Sequence, residues 1–168
     1  MKSETAKKHQ KESSTDITCG LITLSDSRKS EKLDLSGKYI ADEIKSRYEL
    51  KSKVLIPDEK EDLFNAIENM IDDDIDVILT NGGTGLDTRD ITVEAVESLF
   101  EKRIDGFGEL FRAKSYEEIG SAALLSRATA GIYKKTIIFS MPGSPNAVKT
   151  ALNLIIDELP HFVHHVKR

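Results

Sequence analysis

The stretch Val77-Ile78-Leu79-Thr80-Asn81-Gly82-Gly83-Thr84-Gly85-Leu86-Asp87-Thr88-Arg89-Asp90, followed by Thr92-Val93-Glu94-Ala95, decides the architecture of this chain. Val77-Ile78-Leu79 is an unbroken apolar run, the pattern of a strand covered on both faces. A glycine-rich polar loop follows. A helix then begins near Thr92, with Glu94 in its first turn, where the helix dipole favours a carboxylate. The same order recurs on either side. Ile17 to Leu24 reads as a buried strand, and Leu35, Tyr39, Ile40 and Ile44 sit at helical spacing. Val54-Leu55-Ile56 ends a second strand, and Leu63, Phe64, Ile67, Met70 and Ile71 mark one face of a helix. Ile137-Ile138-Phe139 is a further strand. Val148, Ala151, Leu152, Ile155, Ile156 and Leu159 form an amphipathic helix, which Pro160 ends or follows with a short last turn. Gly106 to Tyr133 is expected to hold one or two helices and a strand. Repeated strand-then-helix order implies an α/β domain whose mostly parallel sheet carries helices on both faces.

That domain is expected to span residues 16–168. Met1 to Thr15 are polar, mixed in charge and without an apolar anchor, and are expected to form a disordered tail. The 168 residues are 39% hydrophobic and 32% charged, as in soluble globular proteins. No apolar run approaches the length a bilayer requires, and the opening residues read as no secretory signal. The single cysteine, Cys19, cannot form an internal disulfide. These features predict a soluble, cytoplasmic protein. A formal net charge of −5 argues against nucleic acid as a partner. It leaves small anions open, because a few donors and a magnesium ion can hold phosphates within an acidic protein.

In sheets of this kind, ligands bind outside the carboxyl ends of the strands. Four polar loops lie there: Ser25-Asp26-Ser27-Arg28, Pro57-Asp58-Glu59, Asn81 to Asp90, and Pro142-Gly143-Ser144-Pro145. In the third, Gly82, Gly83 and Gly85 allow backbone N–H groups to approach an anion closely. Thr84 and Thr88 add hydroxyls, and Arg89 offers a planar fork that matches phosphate. The loop lacks the Gly-Lys-Ser/Thr of a Walker A motif and the spacing of a dinucleotide fingerprint. A plain strand-to-helix turn is the bland alternative. Asp58 and Asp90 each follow a strand, and near bound phosphates two such carboxylates call for a cation. Magnesium accepts one or two carboxylates plus phosphate oxygens. The alternative makes Asp58 a turn residue and Asp90 a helix cap. In the fourth loop Pro145 suits a first helical position and leaves Ser144 before it. His161, His164 and His165 have a spacing that can bind zinc but equally suits surface packing. Cys19 reads as core, and Asp72-Asp73-Asp74 as a solvated turn.

Several stretches, in this order, resemble the MoaB/MogA family of molybdenum cofactor biosynthesis proteins. They are Thr23 to Arg28, Ile56 to Glu59, Gly82 to Gly85 with Arg89-Asp90-Ile91-Thr92, and Pro142 to Pro145. Gly106 to Arg112, Ile119 to Ala123 and Leu125 to Ala128 look like the MoaB branch. One departure is Asn81, where the family more often has Thr or Ser. The resemblance implies a three-layer α/β/α sandwich, forming homotrimers or homohexamers. It implies a molybdopterin adenylyltransferase that uses molybdopterin, ATP and Mg2+ and hands its product to a MoeA-like metal-insertion protein. Asp58 and Asp90 match the family's essential aspartates. Gly82 to Gly85, with Ser25 and Asp26 nearby, match its pterin-phosphate loop, and Pro142 to Pro145 its nucleotide-side loop. A non-catalytic molybdopterin carrier is the alternative. Apolar residues such as Phe107, Leu110, Phe111 and Leu124 are expected at a subunit interface.

Overall fold

Among the described residues six strands form one sheet, and their burial follows from their place in it. In the computed structural model, residues 16–27 and 33–168 are described. The expected tail and Arg28 lie outside them. The strands are β1 (Thr18–Leu24), β2 (Glu49–Ile56), β3 (Val77–Asn81), β4 (Lys102–Arg103), β5 (Thr129–Tyr133) and β6 (Thr136–Met141), in sheet order β2-β1-β3-β6-β5-β4. Neighbours β2, β1, β3 and β6 pair in parallel, and β5 runs antiparallel to both β6 and β4. The mostly parallel sheet expected from the sequence is therefore present, with an antiparallel edge. β5 and β6 are joined by Lys134 and Lys135, whose φ values of 47° and 66° give the twist of a tight hairpin.

All five residues of β3 and all six of β6 are buried, as covered central strands require. Their side chains alternate between two apolar layers. Cys19, Leu21, Val77, Leu79, Ile137 and Phe139 meet α1 (Leu35–Lys45), α4 (Asp105–Ile119), α5 (Pro145–Ile155) and α6 (Leu159–Val166). Ile22, Leu24, Ile78 and Ile138 meet α2 (Lys60–Asp72) and α3 (Thr92–Leu99). The result is helix, sheet, helix. Burial, and then the charge of Asp76, push the Cys19 thiol up to about 12, so it is a core residue and not a nucleophile.

Two expectations need correction. The last amphipathic run is not one helix: α5 stops at Ile155, a 3-10 turn covers Ile156–Glu158, and α6 restarts at Leu159 with Pro160 in its first turn. Phe107 and Phe111 are not surplus apolar residues left for an interface. They are buried in this chain's own core, with Phe107 edge-on to Phe139 at 5.1 Å between ring centroids. Leu110 and Leu124, by contrast, are 59% and 81% exposed. No helix among the described residues is long and apolar enough to cross a membrane.

Candidate active site

Chain order places β2 on one side of β1 and β3 on the other, so the loops after β1 and β3 part at the carboxyl edge. Below them a buried polar chain joins the strands. Asn81 Nδ2 donates to Thr23 Oγ1 at 2.8 Å, and Thr23 Oγ1 donates to Asp34 Oδ2 at 2.6 Å. Asp34 Oδ1 accepts from the Gly37 N–H and caps α1. The Nδ2 of Asn81 thus helps hold β3 to β1, while its Oδ1 is buried with no hydrogen-bond partner among the described residues.

The glycine loop needs its glycines. Gly82 and Gly83 have φ of 96° and 62°, where a side chain is strained. A Cβ at Gly82 would lie 2.2 Å from the Leu24 carbonyl oxygen. A Cβ at Gly83 would lie 2.7 Å from Asp58 Oδ1, and one at Gly85 2.4 Å from Asp90 Oδ2. The two aspartates therefore flank the loop, one against each glycine. The loop's carbonyls are engaged: Gly82 O accepts from Thr92 Oγ1 and Gly83 O from the Thr92 N–H, each at 2.9 Å. Arg127 Nε donates to Thr84 O at 3.1 Å, and Arg127 Nη2 to Asp90 O at 3.4 Å. The N–H groups of Gly83, Thr84, Gly85 and Leu86 donate to no protein acceptor among the described residues. Successive free backbone donors of this kind make an anion-binding concavity.

The loops after β1 and β2 grip each other. The Asp26 N–H donates to Asp58 Oδ2 at 2.9 Å, and the Asp58 N–H to Asp26 Oδ1 at 3.1 Å. Burial raises the Asp58 carboxyl above the ordinary aspartate range, against the Asp26 N–H, and the charges of Asp26 and Asp90 add to the rise. Among the described residues, Asp58 Oδ1 is buried without a hydrogen-bond partner. Asp90 does not cap α3, whose N-cap is Ile91; its Oδ2 accepts from the Asp87 N–H at 2.9 Å. Arg89 does not point an open fork at a ligand. It donates to Asp26 through Nε (2.8 Å) and Nη2 (3.0 Å), and to Glu59 Oε1 through Nη1 (2.8 Å). That pairing holds the Asp26 carboxyl below its usual range.

A cleft of about 410 Å3 opens against the loop. It brings together Gly82, Gly83, Thr84, Gly85 and Asp90 with Pro142, Gly143 and Ser144 of the loop after β6. Ser144 caps α5, its Oγ accepting from the Ala147 N–H at 3.3 Å, and Pro145 takes the first helical turn as expected. Ser36 Oγ donates to the Gly143 carbonyl at 2.8 Å and fixes this loop to α1. Ser25, Asp26, Asp58 and Arg89 stand beside the cleft and do not line it. The opposite wall comes from α4 and the 3-10 segment Gly120–Leu125: Phe111, Ser115, Ile119, Ala122 and Leu125. Sequence reasoning missed this wall and the part played by Arg127, because both depend on how α4 folds back over the sheet. A neighbouring cleft of about 450 Å3 is lined by already paired charges, Arg103 with Glu97 and Asp105, and does not reach the loops.

Among the described residues no group of three or more His, Cys, Asp or Glu could hold a metal by itself. The histidines of α6 pack edge to face, His161 against His165 at 4.6 Å between ring centroids. The orphaned Asp58 Oδ1 and the charge coupling of Asp58 to Asp90 fit a cation that completes its shell with ligand phosphates.

A mostly parallel sandwich with a glycine loop of free backbone donors between two carboxylates, opening on a cleft, is the framework of a small-ligand-binding α/β domain. Residues 20–161 match the family model described as a probable molybdopterin binding domain, and the chain belongs to that family. It is 43% identical over 164 residues to molybdenum cofactor biosynthesis protein B of Bacillus cereus, covering 95% of this chain and 96% of that protein. The same identity and coverage hold for a molybdopterin adenylyltransferase of Pyrococcus furiosus. The crystal structure of the tungsten cofactor synthesizing protein MoaB from Pyrococcus furiosus superposes with a TM-score of 0.87. It is 42% identical, and the match covers 92% of this chain and 99% of that one.

Proposed function

We propose that this chain is a molybdopterin adenylyltransferase of molybdenum cofactor biosynthesis, converting molybdopterin and ATP to adenylylated molybdopterin and pyrophosphate. The carrying observation is the run of N–H groups from Gly83 to Leu86 with no acceptor among the described residues, set between Asp58 and Asp90 and facing a cleft that Asp90 helps to line. Gly82 to Gly85 hold the pterin's terminal phosphate, and Ser25 and Asp26 stand on the loop beside them. Pro142, Gly143, Ser144 and Pro145 hold the nucleotide. An oxygen of that phosphate attacks the α-phosphorus of ATP, the α–β phosphoanhydride bond breaks, and its electron pair leaves with pyrophosphate. The nucleophile is already an anion, so no strong general base is required. The chain's work is positioning and charge compensation. Asp58 and Asp90 would hold Mg2+ together with phosphate oxygens, and the ion supplies positive charge where negative charge develops.

ATP consumption goes with a cytoplasmic location. The exposed Leu110, Ile119, Leu124 and Leu125 support assembly into trimers or hexamers. The product is then a substrate for a MoeA-like metal-insertion protein. The test is pyrophosphate release from ATP and Mg2+, with and without molybdopterin, for the parent and Asp58→Ala. Release that requires molybdopterin and is lost in the variant is expected. Tight molybdopterin binding without release would make the chain a carrier.

A further inference from the structure

Arg89 has the fork of a phosphate ligand, but its donors are committed. Nε and Nη2 close a two-point grip on Asp26, and Nη1 reaches Glu59. Asp26 in turn exchanges two hydrogen bonds with Asp58, one each way. Arg89's own backbone is pinned, its N–H donating to Asp87 Oδ1 at 3.0 Å. One guanidinium thus ties the glycine loop to the loops after β1 and β2. Among the described residues it is a cation shared by Asp26 and Glu59, beside Asp58.

We infer that Arg89 is a positioning residue that aims Asp58 through Asp26, and not a contact to substrate phosphate. Without Arg89, Asp26 and Glu59 repel each other and the Asp58 carboxylate. The Asp26 N–H that orients Asp58 Oδ2 then loses its place. Lysine is a poor substitute, since a point charge cannot make the two-point grip. The effect on turnover rests on the adenylyl-transfer reading. The effect on the loops does not.

Two measurements separate the roles. In the ligand-free protein, Arg89→Gln is expected to speed hydrogen exchange at the Asp26 and Asp58 amides about tenfold or more, leaving the sheet amides unchanged. In turnover, Arg89→Gln and Asp26→Asn are each expected to lower kcat about 30-fold, with KM for ATP and molybdopterin within about twofold of the parent. The double variant is expected to be no slower than the worse single, because both break one chain of contacts. Arg89→Lys should recover only part of the rate. Unchanged exchange at Asp26 and Asp58 would overturn the inference even if the parent proved inactive. So would additive kcat losses, or a KM rise with kcat kept, the signature of a phosphate contact. Exchange that rises in a parent without turnover would keep the positioning and remove only the adenylyl-transfer reading.

Discussion

On the proposed role, Asp58 sets function against stability. Folding buries part of the carboxyl and raises its pKa, so the ionised form costs folding energy above the ordinary aspartate range. The cost is fully present at neutral pH and is relieved as pH falls through the raised value. Asp58→Asn is therefore expected to melt higher than the parent at pH 7, with the gap closing in acid. Thermal unfolding across pH reads this directly. The same variant is expected to lose about 10²–10³-fold in kcat, the scale of a lost electrostatic contact to the reacting centre. The neighbouring glycines divide in kind. A methyl at Gly82 meets backbone at positive φ, so Gly82→Ala is expected to cost about 2 kcal/mol of stability in denaturant titration. The three atoms nearest a methyl at Gly85 all belong to the movable Asp90 carboxylate. Gly85→Ala should keep its stability and lose activity by displacing Asp90.

Among the elements, the glycine loop is held from behind by Arg127, which also pairs with Glu94 in the first turn of α3. Arg127→Ala frees the carbonyls of Thr84 and Asp90, and is expected to lower stability by about 2 kcal/mol and kcat roughly tenfold. Loss of activity with unchanged melting would point instead to direct substrate contact. Ser144→Ala removes the cap of α5 and is expected to cost about 1 kcal/mol. These elements differ in how far the sequence announced them. The strands and the helix start at Thr92 were readable because local periodicity and capping chemistry act within a few residues. The polar strand ends placed Asp58, Asp90 and the two glycine-bearing loops correctly at one edge. Arg89 was readable as a guanidinium beside glycines, but its partners, Asp26 and Glu59, lie on other loops, and no local pattern reports such pairing. The cleft wall from α4 was hidden for the same reason. Phe107 and Phe111 look surplus until Phe139 is brought edge-on to Phe107, which packs against Phe111.

For the whole molecule, the apolar residues left outside matter most. Leu110, Tyr116, Ile119, Leu124 and Leu125 are all more than half exposed on α4 and the segment after it. If this surface is an interface, Leu124→Glu should shift sedimentation toward the monomer at micromolar concentration while the fold stays intact. A parent that already sediments as a monomer would remove the assembly from the proposal. The sheet order has a further consequence for how the protein is made. β3 pairs with β6 through Val77 with Ile137 to Asn81 with Met141, partners far apart along the chain. A ribosome that has released Asp58, Arg89 and Asp90 has released every acidic group of the site but no cleft. The far side of the pocket, and the strand that carries Pro142 to Ser144, are still unsynthesised. The pocket thus waits until Pro142 to Ser144 have been made, and a chain that stops short of them lacks one of its walls.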